Sequence, residues 1–256
     1  MSRILFLMLA GLVLCTTQAM ADTLRISVIG AGKVGGTLGT LWVKAGHSVM
    51  FSSRHPEELT DLVKTAGPNA QAGSLSDAAA WGEVIVLSVP YGAMPVLSEQ
   101  LKGKLDGKVV FSTSNPFSGR DAEVGRKALD LGVALADQQY LPGVHLARAF
   151  NAIGYASMKD LSGKGKAIPV FADDAQAREL GARLVRDAGF VSVLSPLARA
   201  NEGLPGGPLS GVWSEAELQQ AGPLASNPGL SSASSATLLR LHRPVESTAE
   251  AQQRLI

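Results

Sequence analysis

Cysteine is nearly absent from this chain of 256 residues. The one cysteine is Cys15, and everything from Asp22 onward lacks the residue. That excludes disulfides and a thiol nucleophile from the body of the protein, and it suits either redox compartment. An excess of charge is missing too: the net charge is +1, which gives no electrostatic footprint for nucleic acid or an anionic membrane surface. The histidines His47, His55, His145 and His242 lie far apart, with no His-x-x-x-His or Cys-x-x-Cys pair, so no metal site is expected. No G-x-S-x-G elbow is present to support a Ser/His/Asp hydrolase. No internal repeat is visible.

What is present is ordinary globular material, 46% hydrophobic and 18% charged, enough for one generous domain or a domain with a small appendage. Residues 1–21 stand apart. Arg3 precedes an apolar run from Ile4 to Cys15, and Ala19-Met20-Ala21 offers a small-x-small cleavage site. This is the layout of a secretory signal peptide, and the run is too short for a comfortable membrane span. It predicts a periplasmic or exported protein with no membrane span in the mature chain. Met20 as the true start would instead leave the protein cytoplasmic.

Residues 24–36, LRISVIGAGKVGG, form the most informative stretch. A short apolar run leads into Gly30-Ala31-Gly32-Lys33-Val34-Gly35, and an apolar stripe at helical spacing follows through Leu38, Leu41, Trp42 and Ala45. Strand, G-x-G-x-x-G and helix in that order predict a dinucleotide-binding turn. Gly30 permits the tight turn, Gly32 lets backbone N–H groups approach a pyrophosphate, and Gly35 lets the helix pack close to the strand. The helix N-terminus adds partial positive charge.

About 20 residues further on, an NAD-binding fold carries an acid against the ribose 2′-hydroxyl. Here Ser52-Ser53-Arg54-His55 occupies that position, with two hydroxyls, a guanidinium and an imidazole in place of the acid. Short donors and a planar cation suit a 2′-phosphate, which predicts NADP(H). Further strands are expected at residues 70–72, 83–89, 108–112 and 145–151, separated by helices at 56–66, 95–101 and 121–131 and a small one capped by Ser74 or Ser76. The strand at 83–89 runs into Ser88-Val89-Pro90-Tyr91, the next into Asn115-Pro116, and the last ends at Asn151-Ala152. These are carboxyl strand ends, where ligands bind in such sheets. The alternation predicts an α/β Rossmann-type doubly wound parallel sheet, extended by a small C-terminal α/β portion.

The predicted organisation is a leader over 1–21, a nucleotide-binding domain over 22–152 and an extension over 153–220 completing the fold. The Ser-, Ala-, Pro- and Gly-rich stretch 221–256 reads as a disordered tail.

The fragments ISVIGAGKVGGTLG, FSSRHPEE, VLSVPYGA, SNPF, ARAFN and FADDAQA, then ARANE, resemble in order and spacing the NADPH-dependent oxidoreductases typified by the coenzyme F420-dependent NADP reductases. That profile is shared with the N-terminal domain of pyrroline-5-carboxylate reductase and with the cytosolic domain of six-transmembrane metalloreductases. The resemblance implies that Ala31 to Val34 hold the pyrophosphate and Ser53-Arg54 the 2′-phosphate. It also implies that Val89, Pro90 and Tyr91 line the adenosine-to-ribose path and that Asn115-Pro116 and Asn151-Ala152 sit by the nicotinamide. Ser112 stands where relatives often carry Asp, and a leader is unusual for the family.

Hydride transfer to a small acceptor of the deazaflavin, flavin or ferric kind needs orientation rather than a protein nucleophile. Tyr91 and Asn151 are the candidate positioning groups, and no residue is assigned as catalytic. His145, near the start of its strand, reads as structural. Two other readings keep the fold: a non-catalytic NADP-binding module that senses redox state, and an imine reductase of the pyrroline carboxylate kind. A homodimer is compatible with such a domain, and the sequence does not name the oligomeric state.

Overall fold

The computed structural model describes residues 22–225, with side chains through Gln220. The leader expectation, and the tail expectation beyond Ala225, lie outside the described residues. The order of elements is β1 (Arg25–Ile29), α1 (Lys33–Lys44), β2 (Ser48–Ser52), α2 (Thr60–Ala66), β3 (Ala70–Gly73), α3 (Leu75–Trp81), β4 (Val84–Leu87), α4 (Met94–Leu101), β5 (Val109–Ser112), α5 (Ser118–Leu131), α6 (Val133–Tyr140), β6 (His145–Arg148), α7 (Tyr155–Leu161), β7 (Ala167–Ala172), α8 (Ala175–Asp187), β8 (Val191–Ser195) and α9 (Glu215–Ala225).

The strands form one sheet in the order β3-β2-β1-β4-β5-β6-β7-β8. The first six are parallel, β7 pairs antiparallel with β6, and β8 runs parallel to β7. The expected doubly wound α/β sheet is therefore present, and the last two strands run against the other six. Such a mixed sheet follows when the connection after β6 folds a short helix, α7, back against α1 rather than completing another parallel crossover.

Both faces of the sheet are covered, and the period-2 alternation of each strand sorts its residues between them. In β4, Val84 and Val86 join the core beneath α1 and α8, while Ile85 and Leu87 join the opposite core with Met94, Leu101 and Val133. All four are fully buried, as a central parallel strand requires. Trp42 locks α1 to α8: its ring is fully buried, its indole N–H donates to the Leu184 carbonyl at 2.8 Å, and it meets Phe111 edge-on at 6.2 Å between centroids. Ser74 rather than Ser76 caps α3. Its hydroxyl accepts the Asp77 N–H at 3.1 Å while the Asp77 carboxylate accepts the Ser74 N–H at 3.1 Å.

Four elements differ from the sequence expectation. The segment expected as one helix over 56–66 begins as a 3-10 turn at Pro56–Leu59, where Pro at the first position supplies no N–H. Helices α6 and α7 were not foreseen; both are short, and α6 follows α5 directly at Gly132. Finally, α9 runs through Ala225, past the expected boundary at Gln220. Among the described residues no helix is long and apolar enough to cross a membrane.

Candidate functional site

Three strand ends converge on the glycine turn. Gly30 has φ +98°, a conformation that side chains rarely adopt, and its N–H donates to the Ser52 carbonyl at 2.9 Å, tying β1 to the end of β2. A Cβ on Gly30 would lie 2.2 Å from the Ser88 carbonyl oxygen, just past β4. A Cβ on Gly35 would lie 2.1 Å from the Gly30 oxygen, so α1 approaches the turn this closely only because Gly35 has none. Gly32 is different in kind. Nothing lies within 4 Å of where its Cβ would be, and it is the N-cap of α1, with no side-chain cap and no acid in the first turn. The free N–H groups of that turn and the positive end of the helix dipole therefore face an open cradle that suits an anionic group. Ala31 and Val34 flank it half-buried, and the exposed Lys33 holds its ammonium 5.4 Å from the centroid of the Tyr155 ring. Tyr155 opens α7, so the sequence reading, which lacked that helix, missed it.

At the end of β2 the candidates divide. Ser52 is buried and contributes its carbonyl to the glycine turn rather than a hydroxyl to a ligand. The expectation for its side chain fails because the residue belongs to the strand itself. Ser53 Oγ accepts the His55 N–H at 3.0 Å, and Arg54 is exposed with no ion pair among the described residues. His55 Nδ1 lies 3.3 Å from Glu57 Oε1, so the nearest acid already faces an imidazole.

The tips of β4, β5 and β6 carry a buried polar network. Arg148, the last residue of β6, is fully buried; it donates to Asp137 of α6, to Ser112 Oγ at 3.1 Å and to the Ser114 carbonyl at 2.6 Å. Tyr91 Oη donates to Asp137 Oδ1 at 2.6 Å and is fully buried. Burial first, then the Asp137 charge and hydrogen bond, push the Tyr91 phenol far above its ordinary value. The expectation that the Tyr91 hydroxyl orients a ligand is thereby corrected: that hydroxyl is sealed in the core beside Met94 and Val133 and spent on Asp137. Neither Arg148 nor Asp137 was singled out from sequence, since they lie on different elements and look like ordinary surface charges there.

Beyond this network the strand tips present Asn115 and Asn151, both buried. The Asn115 amide donates to the Asn151 carbonyl, and Asn151 Nδ2 donates to Asn115 Oδ1 at 3.0 Å. Asn151 Oδ1 is buried without a partner. Phe150, just before it, has φ +60°, a costly conformation for an aromatic residue. Pro116 is buried, Ala152 half-buried, Ser88 and Val89 half-buried and Pro90 exposed; the Val89 N–H donates to Ser114 Oγ at 3.2 Å. Arg120 forks onto Asp121 at 2.9 Å through both Nε and Nη2, and Nη2 also donates to the Asn115 carbonyl at 2.8 Å. Asp121 further accepts the Gly92 and Phe117 N–H groups at 2.9 and 2.8 Å. Although burial raises its carboxyl, Arg120 and these N–H groups together hold it below the ordinary value.

A narrow cleft of about 10 Å³, lined mainly by Phe150, Ile153, Ile168, Pro169 and Leu209 together with Asn151, adjoins the tip of β6. His145 sits at the opposite end of that strand, 3.0 Å from Asp174, the N-cap of α8. That is the expected structural role.

The site residues, the Tyr91 and Ser52 side chains apart, thus gather at the carboxyl ends of β1, β2, β4, β5 and β6. Along that edge of the sheet the order is Ser53 and Arg54, the cradle at Gly32, then the asparagine pair.

Residues 25–116 match the sequence model of the family described as NADP oxidoreductase, coenzyme F420-dependent. Among solved structures, the chain is similar to a hypothetical protein of Sinorhizobium meliloti, with TM-score 0.63 and 24% identity over 74% of this chain and 93% of that one. It is also similar to a putative F420-dependent NADP reductase of an Arthrobacter species, with TM-score 0.54 and 20% identity over 70% of this chain and 87% of that one. An imine reductase of Myxococcus stipitatus has TM-score 0.51 and 17% identity, and the match spans 69% of this chain but 56% of that longer one. The structural likenesses carry the Rossmann-like fold, and the family match carries the resemblance seen in the sequence fragments.

Proposed function

We propose that this chain, an NAD(P)-dependent oxidoreductase by its family match, binds NADP(H) in preference to NAD(H) and reduces a small acceptor of the deazaflavin, flavin or ferric kind. Reduction is by hydride for the first two and by two electrons to two ferric centres, with release of a proton, for the third. The observation that carries the cofactor preference is the end of β2. An exposed Arg54 and the Ser53 hydroxyl stand there beside the glycine turn, where an acid would otherwise meet a 2′-hydroxyl. The cradle fits a dinucleotide on the structure's own terms: Gly32 leaves open space at an uncapped helix end, and Gly30 and Gly35 hold it in place.

When bound, NADPH supplies the hydride, and the chain supplies binding and orientation. Residues 31–34 hold the pyrophosphate, Ser53 and Arg54 the 2′-phosphate. Ser88 to Pro90, at the tip of β4, would border the bound dinucleotide, and the asparagine pair would lie beside its far end. With Tyr91 sealed against Asp137, that hydroxyl cannot hand a proton to an acceptor. An acceptor reduced here, whether deazaflavin, flavin or imine, would therefore draw any proton it needs from a source other than Tyr91.

Binding of NADPH and NADH to the purified chain tests the reading. NADPH is expected to bind well ahead, and Arg54→Ala to remove the preference at a cost of about 1.5–3 kcal/mol. Equal affinity of the unaltered chain for both would sink it. The sealed Tyr91 also keeps open a redox-sensing module without turnover. NADPH oxidation with any of deazaflavin, flavin or ferric chelate excludes that alternative. Export, a further proposal, rests on the layout of residues 1–21, and a native N-terminus at Asp22 is its signature.

A further inference from the structure

Past the tip of β5 the chain buries a carboxylate and uses it to hold one arginine. The Asp121 side chain is 1% exposed and accepts the N–H groups of Gly92 and Phe117 together with Nε and Nη2 of Arg120. Glycines leave the room for it: a Cβ on Gly125 would lie 2.9 Å from Asp121 Cβ, and one on Gly92 3.3 Å from Asp121 Oδ1. Arg120 Nη2 also donates to the Asn115 carbonyl at 2.8 Å, and the guanidinium carbon lies 4.8 Å from the centroid of the Phe117 ring. The next residue, Ala122, is held at φ +47°, a conformation that an L-residue keeps only where its surroundings enforce it.

One edge of this guanidinium is left over. A carboxylate that takes Nε and Nη2 side-on leaves Nη1 on the far side of the group. Among the described residues Nη1 donates to nothing, and the side chain is 26% exposed. Its charge is not wholly spent either, because two backbone N–H groups share the Asp121 carboxylate with it. A guanidinium edge fixed in place and only partly compensated suits the oxygens of a phosphate.

Position says which phosphate. Those of the dinucleotide fall to the Gly32 cradle after β1 and to Arg54 after β2, whereas Arg120 follows β5, on the far side of β4. That is the side of the switch point on which an acceptor would meet the cofactor.

We propose that Arg120 Nη1 binds a phosphate carried by the acceptor, so that the preferred acceptor is a phosphate-bearing flavin or deazaflavin rather than the bare ring or a ferric ion. The inference rests on the reading of the chain as an NADP(H)-dependent oxidoreductase and names the acceptor class of that same site. Asp121 and Phe117 position Arg120, and neither is required to touch the ligand.

Flavin mononucleotide and riboflavin test it, because they share one ring and differ by the phosphate. Each is titrated, by quenching of flavin fluorescence, into the full chain saturated with NADP⁺. Saturation keeps the Gly32 cradle and Arg54 occupied, so the flavin phosphate cannot be read there. Flavin mononucleotide is expected to bind about tenfold more tightly than riboflavin. In Arg120→Gln that gap is expected to close, with the two flavins binding alike. A merely structural role for Arg120 would weaken both flavins together and leave their ratio intact, and that result overturns the inference. Equal affinity of the two flavins for the unaltered chain overturns it as well, whether or not the variant folds. So does binding of neither flavin. Binding of NADP⁺ is measured first: its failure brings down the cofactor reading, whereas NADP⁺ binding without the flavin gap brings down the acceptor inference alone.

Discussion

The two ends of this row of strand tips are built by opposite means. The end formed by β1, α1 and β2 is made of backbone: glycine N–H groups, an uncapped helix terminus, a strand-end carbonyl and an arginine with no ion pair among the described residues. The end formed by the tips of β4, β5 and β6 is made of buried side chains, with Tyr91, Asp137, Arg148, Ser112 and Ser114 bonded in one network behind the asparagine pair. The first is open and waits for charge to come from the ligand. The second has paired its charges with one another and offers a ligand amide groups and the free edge of Arg120. A dinucleotide has just this asymmetry, with phosphates along one part and a flat, weakly polar ring at its end.

The comparison can be broken most severely at the buried network. Arg148→Met leaves the Asp137 carboxylate buried without its counter-ion, and should cost about 3–5 kcal/mol in denaturant unfolding. Replacing Asp137 by Leu in the same chain should recover a good part of that loss. A single variant that unfolds like the unaltered chain would mean the pair carries no structural weight.

Next come the glycines, where the open end separates packing from binding. Gly30→Ala forces a Cβ against the Ser88 carbonyl at positive φ and should cost about 3 kcal/mol of stability. Gly32→Ala meets open space and should leave the melting temperature nearly unchanged while weakening NADPH binding. If both variants melted alike, the division of labour within the turn would be wrong.

The smallest effect concerns Asp121, which within the second end holds the Gly92 N–H past β4 and Arg120 beside Asn115. Its carboxyl is depressed in the folded chain, so its contribution is complete above the ordinary carboxylate value of about 4 and is lost as pH falls through the lower folded value. Asp121→Asn should therefore lower stability at neutral pH by about 1–2 kcal/mol and make acid unfolding less steep. Parallel acid-unfolding curves for the two chains would contradict this.

Much of the fold was legible because local chemistry and global fold agree. The apolar run of β4 demanded cover on both faces, and the structure supplies it. The spacing from Gly30 to Arg54 placed the cation at the end of β2, where it lies. The unforeseen parts have physical reasons. Helices α6 and α7 are short and follow other elements at once, leaving too few turns for a period to emerge. The reversal of β7 depends on where α7 docks, and no residue in β7 announces a direction. Tyr91 looked like a ligand group because a carboxyl strand end is where ligands bind; which way its ring turns was settled by Asp137, 46 positions away.

The sequence by itself determined the glycine turn, the strand-end arginine and the alternating plan, since each is a matter of backbone sterics or of pattern within a few residues. Only the tertiary structure decided the buried network at the tips of β4, β5 and β6. Arg148 finds Asp137 and Ser112, and Asn115 finds Asn151, through contacts that exist once β5 and β6 lie side by side under α6. A buried charge or amide is tolerable only with its partner in place, and that partner is chosen by the fold.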